Sequence, residues 1–383
     1  MLLLFSLGSN GSGQLGIGHK EDVSVPKQVL FDDDDADRHP SSLKRIIAGG
    51  NHTLLLTGTG DIFWAGDSST GACGKVTAAR AALPSKFRPV NLSLPAAQGQ
   101  QESAAFKVHL AAATWEASVV TRLDEHGRNT KVYSFGSGLK GELGLGSFIF
   151  RTPIPAEIPN FPPPGTEIID LSACMGHVVA VLSNGEAWGW GNGRKGQLGT
   201  SETFIHSPQM IDGVGFRVAK AVCGREFTCL VGDSASGDIA VLGSDKWGVK
   251  SGAPSRLVGW KEVAASWGNV FVLSEDGSVT SWGRNEHGQL APANIPRTKS
   301  IAVGSEHVLA LSKDGQVTAW GWGEHGNCGP LDSADKAKGQ HNVIASSKFI
   351  PPGSEITAIG AGCATSWVAI EMPTEYPLES PQT

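Results

Sequence analysis

Residues 176–199 read GHVVAVLSNGEAWGWGNGRKGQLG, and this stretch contains the signals that decide the fold. A continuous apolar run over residues 178–182 is followed by Asn184-Gly185, a pair that supplies the positive φ angles of a two-residue hairpin turn. A second short segment ends at Trp190, and a glycine-rich turn over residues 191–199 follows it. Short apolar runs bounded by such turns predict two antiparallel strands and a tight return of the chain.

The same pattern occurs seven times along the chain. Glycine-rich turns occupy residues 8–16, 66–74, 136–144, 191–199, 243–248, 283–290 and 323–329. Seven turns of a G-x-x-H-like type, each leading into an apolar strand, lie at residues 49–52, 113–116, 174–177, 224–227, 266–269, 304–307 and 363–366. One small sheet of short strands cannot bury both of its faces alone, so seven such units are expected to pack radially as the blades of a propeller.

The sequence therefore predicts an all-β protein whose single domain, a seven-bladed β-propeller, spans residues 1–372, with a flexible tail at residues 373–383. The chain begins with one half of a repeat unit (residues 2–16) and ends with the complementary half (residues 356–370). We expect the N- and C-terminal strands to share one blade and close the ring, because closure removes free sheet edges. Uneven repeat spacing predicts inserted loops at residues 31–42, 78–105, 154–165 and 331–352.

Composition excludes several other classes of protein. Glycine makes up 50 of the 383 residues, about twice the average share, and so much glycine is incompatible with a bundle of long helices. The net charge is −6 and no block of lysine and arginine exists, which disfavours direct binding of nucleic acid. The six cysteines form no C-x-x-C pair and the N-terminus does not resemble a signal peptide, so we expect a soluble protein of a reducing, intracellular compartment.

The sequence offers no chemistry that points to an enzyme. Residues 11–16 and 191–196 fit G-x-G-x-x-G, but no helical pattern follows them, so they are interpreted as structural turns and not as a dinucleotide site. His52, His177 and His307 occupy equivalent repeat positions, where a ring nitrogen is expected to connect one blade to the next. No metalloprotease, nucleophile-elbow or thiol-redox motif is present. We therefore predict no catalytic residue, no metal ligand and no cofactor.

The repeats resemble those of the regulator of chromosome condensation family, whose fold is a seven-bladed propeller. A narrower resemblance is carried by residues 320–330, WGWGEHGNCGP, with residues 7–11, 304–307 and 362–367. These strings are similar to a subfamily of small fungal propellers, the alpha-tubulin suppressor or killer-toxin-insensitivity proteins. That resemblance implies a non-catalytic subunit, cytoplasmic and nuclear, that forms a heterodimer with a small zinc-binding protein of diphthamide biosynthesis. It also implies support of elongation factor 2 modification and an indirect link to the Elongator complex and wobble-uridine modification of transfer RNA, with no direct contact to nucleic acid or membrane.

Aromatic and charged residues beside the turns are the candidates for partner binding. Large aromatic side chains at the rim of a propeller supply contact area and are enriched among interface hot spots. Each of the rim tryptophans is equally compatible with a core role, since tryptophan often fills the channel of a propeller. The predicted partner-binding residues are Trp115, Glu116, Arg225, Glu226, Trp267, Glu306, His307, Trp322, Glu324, His325 and Trp367.

Two other functions are compatible with such a fold, because fold alone does not decide function. The first is a guanine nucleotide exchange factor for a small GTPase, disfavoured by the acidic net charge and by the absence of a basic N-terminal arm. The second is a tryptophan-based light receptor, suggested by the 11 tryptophans. It ranks last because the repeated G-W-R-H-T string of such receptors is absent and the rim is expected to lack arginines.

Overall fold

The computed structural model describes residues 1–32, 39–76, 85–94, 106–330 and 341–373, which form short β-strands joined by turns. In chain order the strands are β1 (Leu2–Gly8), β2 (Val23–Gln28), β3 (Leu43–Ala48), β4 (His52–Thr57), β5 (Ile62–Gly66), β6 (Arg88–Pro89), β7 (Val108–Ala113), β8 (Ala117–Leu123), β9 (Asn129–Ser137), β10 (Arg151–Glu157), β11 (Ile168–Cys174), β12 (His177–Leu182), β13 (Ala187–Asn192), β14 (Phe204–Met210), β15 (Lys220–Cys223), β16 (Phe227–Val231), β17 (Ile239–Gly243), β18 (Trp260–Ala265), β19 (Asn269–Ser274), β20 (Val279–Gly283), β21 (Thr298–Val303), β22 (His307–Ser312), β23 (Gln316–Gly321), β24 (His341–Ser346), β25 (Glu355–Ala361) and β26 (Thr365–Glu371).

These strands form seven antiparallel sheets, which are the blades of a propeller. Blade 1 has the strand order β2-β1-β26-β25, blade 2 is β3 to β6, blade 3 is β7 to β10, blade 4 is β11 to β14, blade 5 is β15 to β17, blade 6 is β18 to β20, and blade 7 is β21 to β24. The first strands of neighbouring blades contact one another in the closed sequence β3-β7-β11-β15-β18-β21-β25 and back to β3. The prediction of an all-β, seven-bladed propeller is confirmed.

Blade 1 closes the ring with both ends of the chain. Strand β1 pairs with β26 without interruption, from Leu2 opposite Glu371 to Gly8 opposite Thr365. The predicted closure by N- and C-terminal strands is therefore confirmed. Of the predicted tail only residue 373 lies within the described residues, and parts of the predicted insertions, at residues 33–38, 78–84, 95–105 and 331–340, lie outside them.

The core lies between the blades. The second strands of blades 2, 4 and 7 (β4, β12 and β22) are buried along their whole length, because each sheet is covered by a neighbouring blade on both faces. This explains their continuous apolar runs, where a half-exposed strand would alternate polar and apolar residues. Tryptophans of the third strands connect the blades further: the indole Nε1 of Trp190 donates to the carbonyl of Glu142 at 3.0 Å, and that of Trp320 donates to the carbonyl of Gln289 at 3.1 Å.

The repeated histidines also link adjacent blades, as predicted. The His52 ring nitrogen lies 3.2 Å from the Ser118 hydroxyl of the next blade, and His177 lies 3.0 Å from the Thr228 hydroxyl. Both rings are buried. Buried polar groups are costly unless they find a hydrogen-bond partner, so each pair fixes the position of one blade against the next.

A glycine bulge ends the third strand of blade 4. Gly191 has φ 101°, and its left-handed backbone directs the next amide, that of Asn192, onto the carbonyl of Gly176 at 2.7 Å. A Cβ on Gly191 would collide with that same carbonyl and with the Cα of His177. A glycine with positive φ occupies the equivalent place in the other blades, at Gly8, Gly66, Gly136, Gly243, Gly283 and Gly321. The recurring glycine of the sequence pattern is therefore a steric requirement of each blade.

Replacing Gly191 by alanine should lower the free energy of unfolding by more than about 3 kcal/mol, since it adds a collision to the strain of a positive φ. Gly127→Ala is the matched control, because Gly127 has φ 75° and open space where a Cβ would lie. Strain alone should cost this control about 1–2 kcal/mol. Urea denaturation of both variants measures the difference, and equal losses would show that the contact with Gly176 is unimportant.

Two ends of the propeller are distinguished below. The upper face carries the loops between the first and second strands of each blade, together with the glycine turns after the third strands. The lower face carries the hairpins between the second and third strands. A central channel joins the two faces along the seven first strands. Among the described residues, no helix is long and apolar enough to cross a membrane.

Candidate protein-binding face

The loops of the upper face form a ring around the channel mouth, and backbone hydrogen bonds join one blade to another. The amide of Trp115 donates to the carbonyl of Met175 at 2.8 Å, and the amide of Trp267 donates to the carbonyl of Ser305 at 2.9 Å. These bonds place the rings of Trp115 and Trp267 next to each other over the mouth, with their centroids 6.1 Å apart. A cavity of about 110 Å³ lies at this end of the channel, lined by both rings.

Cationic side chains lie on the tryptophans of this face. The Arg225 guanidinium is 5.6 Å from the ring centroid of Trp267. Trp247 is contacted by Arg284 at 5.0 Å and by Lys246 at 4.4 Å. Cations over aromatic faces are attracted by the ring quadrupole, so these pairs hold the side chains in one arrangement. Blades 5 and 6 thus present an ordered surface of alternating aromatic and cationic groups.

A buried carboxylate positions one of these cations. Glu306 is 5% exposed, and its two oxygens accept from Arg284 at 2.6 Å and from the Gln289 amide at 2.9 Å. The same Arg284 pairs with Glu286 at 2.6 Å. Two carboxylates hold different nitrogens of the guanidinium, Glu286 at Nε and Nη2 and Glu306 at Nη1, and the group lies over the ring of Trp247. Glu306 therefore organises the surface from below and is not itself a contact residue.

Blade 7 adds a second aromatic feature beside this one. Trp322 is 37% exposed and stacks on His287 of blade 6, with ring centroids 4.3 Å apart and an angle of 16° between the planes. His325, in the following turn, lies 2.9 Å from a carboxylate oxygen of Asp22 in blade 1. Rings fixed in this way lose little side-chain entropy when a partner covers them, which favours their use as contact residues.

The structure brings most of the predicted partner-binding residues together on the upper face. Those that are exposed or half-buried there are Trp115, Glu116, Arg225, Glu226, Trp267, Trp322, Glu324 and His325. Three others need correction because they are buried. Glu306 holds Arg284, His307 is 1% exposed with its ring nitrogen 2.9 Å from the Ser366 hydroxyl, and Trp367 is fully buried in the core between blades 1 and 2. Their side chains connect blades and do not form part of a surface.

Sequence reasoning missed other members of this face, namely Trp247, Arg284 and His287. Trp247 lies in the glycine turn that departs most from the repeat, and it has a left-handed backbone with φ 64°. The departure from the repeat was the signal available in the sequence. A bulky residue rarely adopts this backbone conformation. The expectation that the rim lacks arginines was wrong, because Arg225 and Arg284 both lie over tryptophans here.

The thiols near this mouth are not poised for chemistry. Burial raises the pKa of Cys223 to about 12 and also raises the pKa values of Cys174 and Cys363. A protonated thiol is a poor nucleophile and a poor metal ligand. Within the part of the chain that the structure describes, no three histidine, cysteine, aspartate or glutamate side chains are grouped as a metal site would require.

Comparison with known proteins agrees with the architecture. Residues 3–368 match the model of the RCC1-like domain. An RCC1 repeat-containing protein of Schizosaccharomyces pombe is 32% identical over 300 residues, which cover 76% of this chain and 78% of that protein. The secretion-regulating guanine nucleotide exchange factor of Bos taurus is 26% identical over 310 residues, which cover 75% of this chain but only 61% of the relative.

A solved structure shows the same fold. The crystal structure of Prp20p from Saccharomyces cerevisiae has a TM-score of 0.76 and 21% sequence identity to this chain, with 98% of this chain and 92% of that chain covered. The sequence match extends from β1 to β26, the two strands that close the ring. The seven blades share a glycine bulge, and the family match covers almost the whole length of the chain. This protein therefore belongs to the RCC1-like domain family.

Proposed function

We propose that the upper face binds a small zinc-binding protein of diphthamide biosynthesis and that the propeller acts as the non-catalytic subunit of this heterodimer. The observation that carries the proposal is the ordered set of exposed and half-buried tryptophans and arginines around the channel mouth. Tryptophan and arginine are the residues most enriched among interface hot spots. A folded protein partner suits such a face better than a phosphate backbone, because several of its cations already hold carboxylates or rings.

The choice of partner rests on the strings that resemble the fungal subfamily, and these meet in space. Ser305 of the G-x-x-H turn donates its amide to Gly362 at 2.9 Å. Ser366 donates its hydroxyl to the carbonyl of Asn327 at 2.8 Å, and the amide of Ser9 donates to Ala364 at 2.8 Å. Residues 7–11, 304–307, 320–330 and 362–367 thus form one contiguous region where blades 7 and 1 join. Trp322, Glu324 and His325 are exposed side chains of this region.

The proposed mechanism is control of access. A partner seated over Trp115 and Trp267 covers the channel mouth, and the surrounding loops limit what else reaches the partner's metal site. The partner supplies the metal and its redox chemistry, and the propeller supplies affinity and orientation. In this role the protein supports modification of elongation factor 2 and, through an indirect link to the Elongator complex, of transfer RNA, in the cytoplasm and nucleus.

Trp267→Ala and Trp322→Ala should each weaken the heterodimer by more than about 1 kcal/mol, or roughly fivefold in Kd, because each removes a fixed aromatic contact. Isothermal titration calorimetry with the purified zinc-binding protein measures the change. Phe349→Ala is the matched control, since Phe349 is 89% exposed but follows β24 at the lower face. Wild-type affinity in both tryptophan variants would remove this face from the interface.

The second candidate is a guanine nucleotide exchange factor, and the bovine relative with that name favours it. We expect a GTPase to bind the same face. Affinity purification from the native cell, followed by mass spectrometry of stoichiometric partners, separates the two functions. Recovery of one small zinc-binding protein at a one-to-one ratio supports the proposed heterodimer. Recovery of a small GTPase, with accelerated nucleotide release in vitro, would replace it by the exchange factor.

A further inference from the structure

The central channel is a cavity that the upper-face contacts do not use. Its volume is about 310 Å³, and small residues of the first strands, such as Ala112, Ala264 and Gly360, keep it wide. At the upper end Trp115 and Trp267 narrow it. Cavities of this size hold metabolite-sized molecules. A ligand of the channel would therefore enter from the lower face.

Basic side chains lie where the first strands reach the lower face. They belong to the beginnings of β3, β15, β18 and β21, and they are Lys44, Arg45, Lys220, Lys261 and Lys299. Of these, Lys44, Arg45 and Lys220 line the channel itself. The acidic residues of the same strand ends are fewer, namely Asp170, Glu262 and Glu355. The protein as a whole has a net charge of −6, so this local excess of positive charge runs against the overall composition.

The acidic groups of this mouth are already used by the wall of the channel. Asp170 accepts from the amide of Ala221 at 3.0 Å and from the Lys220 ammonium at 3.2 Å. Glu262 accepts from the amide of Ile301 at 3.2 Å. Each first strand has one edge without a paired strand, and these carboxylates accept hydrogen bonds from amides of that edge. Glu355 accepts from the Lys299 ammonium at 3.0 Å. The three carboxylates therefore already have donors, and five basic groups against three acidic groups leave an excess of positive charge.

Two lysines of the mouth have only neutral partners among their hydrogen bonds. The Lys44 ammonium donates to the carbonyl of His109 at 2.9 Å, and the Lys261 ammonium donates to the carbonyl of Lys299 at 2.5 Å. Burial lowers the pKa of Lys44, the direction expected where no anion compensates the loss of water. An oxyanion at the mouth would supply that compensation.

The surroundings of the mouth select against large polyanions. Each of the six hairpins on the lower face carries at least one carboxylate; these residues are Asp61, Asp124, Glu125, Glu186, Asp233, Asp238, Glu275, Asp276 and Asp314. Some are paired, as Asp276 is with Arg297 at 2.7 Å. A basic centre inside an acidic rim attracts a small anion but repels an extended phosphate backbone.

We propose that the lower mouth of the channel binds a small organic anion, whose phosphate or carboxylate group contacts Lys44, Arg45 and Lys220 while its uncharged body occupies the channel. This site lies at the opposite end of the propeller from the proposed protein-binding face. It does not depend on the identity of the protein partner.

Isothermal titration calorimetry of the wild-type protein with three probes tests the site. Phenyl phosphate has both a charged group and an uncharged body, whereas inorganic phosphate and phenol each have one of these. We expect saturable binding of phenyl phosphate with a Kd below about 1 mM at low salt, and binding at least about tenfold weaker for each of the other two. Absence of saturation with phenyl phosphate up to about 10 mM would overturn the proposal. So would tighter binding of a single-stranded DNA oligonucleotide.

Variants locate the site. The double variant Lys44→Ala, Arg45→Ala should lose phenyl phosphate affinity by at least about tenfold, as expected for removal of charge-assisted contacts. Lys313→Ala is the control, because Lys313 is an exposed lysine of a lower-face hairpin outside the mouth. The affinity of the Lys313→Ala variant for phenyl phosphate should stay within about twofold of wild type. Equal losses in both variants would show that the anion is attracted by general surface charge and not by this mouth.

Discussion

Trp367→Ala should lower the free energy of unfolding by about 3–5 kcal/mol, the range observed when a large buried aromatic side chain is removed. Trp367 is fully buried in β26, where it packs among residues of blades 1 and 2 that include Leu4, Leu55 and Phe63. The cavity left by alanine would lie beside the β1–β26 pair that closes the ring. Weakening of this closure is expected to destabilise the whole propeller, because each blade depends on its neighbours for burial.

Trp322→Ala is the matched control for this prediction, since it makes the same change at a tryptophan that is 37% exposed. We expect it to lower the free energy of unfolding by no more than about 1 kcal/mol. Urea denaturation followed by tryptophan fluorescence and circular dichroism measures both variants. A loss at Trp367 as small as that at Trp322 would show that the closing blade is not required for stability, and Trp367 would return to the set of candidate contact residues.

Acid should destabilise the protein well before its carboxylates are protonated. Burial lowers the pKa values of His52, His177 and His307 to about 4, while nearby Asp67 partly opposes this for His52. In the unfolded chain a histidine has a pKa of about 6.5. Above pH 6.5 both states are neutral and the full stability is present. As the pH falls from about 6.5 to about 4, the unfolded chain binds protons that the folded protein does not bind.

The expected loss is about 1.4 kcal/mol per pH unit for each histidine, or about 4 kcal/mol per pH unit for the three together in the middle of this range. Burial raises the pKa values of Glu142 and Glu262, which opposes the trend only as the pH approaches their titration. Unfolding in urea at pH 7.5, 6.0 and 5.0 measures the slope. His177→Asn should reduce it by about a third. A free energy of unfolding that is constant between pH 7 and pH 5 would contradict the prediction.

Much of the fold could be predicted because each blade repeats the same local requirements. The glycine after the third strand, represented by Gly191, is required by a carbonyl of its own blade. The Asn184-Gly185 pair forms the turn between β12 and β13, so this signal involves only neighbouring residues. Even His177, which contacts the next blade, follows the repeat, since the Thr228 hydroxyl occupies the place of the Ser118 hydroxyl that receives His52. Such signals are local or periodic and can be recognised from spacing alone.

The exposure of the tryptophans in and beside these turns could not be predicted in this way. Trp267 and Trp367 both lie beside G-x-x-H-like turns, yet the first lies over the channel mouth and the second lies inside the core. The pairing of Trp247 with Arg284 also depends on a blade 5 turn that departs from the repeat. These contacts join residues of different blades, and repeat spacing does not specify which side chains approach each other there.

The sequence by itself determined the number of blades, the closure of the ring and the positions of the turns, because short-range sterics and strand patterning fix them. Only the tertiary structure decided which side chains form the two mouths of the channel. The basic lower mouth combines Lys44 and Arg45 of blade 2 with Lys220 of blade 5, which are well separated in the chain. Their proximity follows from the radial arrangement of the closed ring, which brings the beginnings of all first strands to one axis.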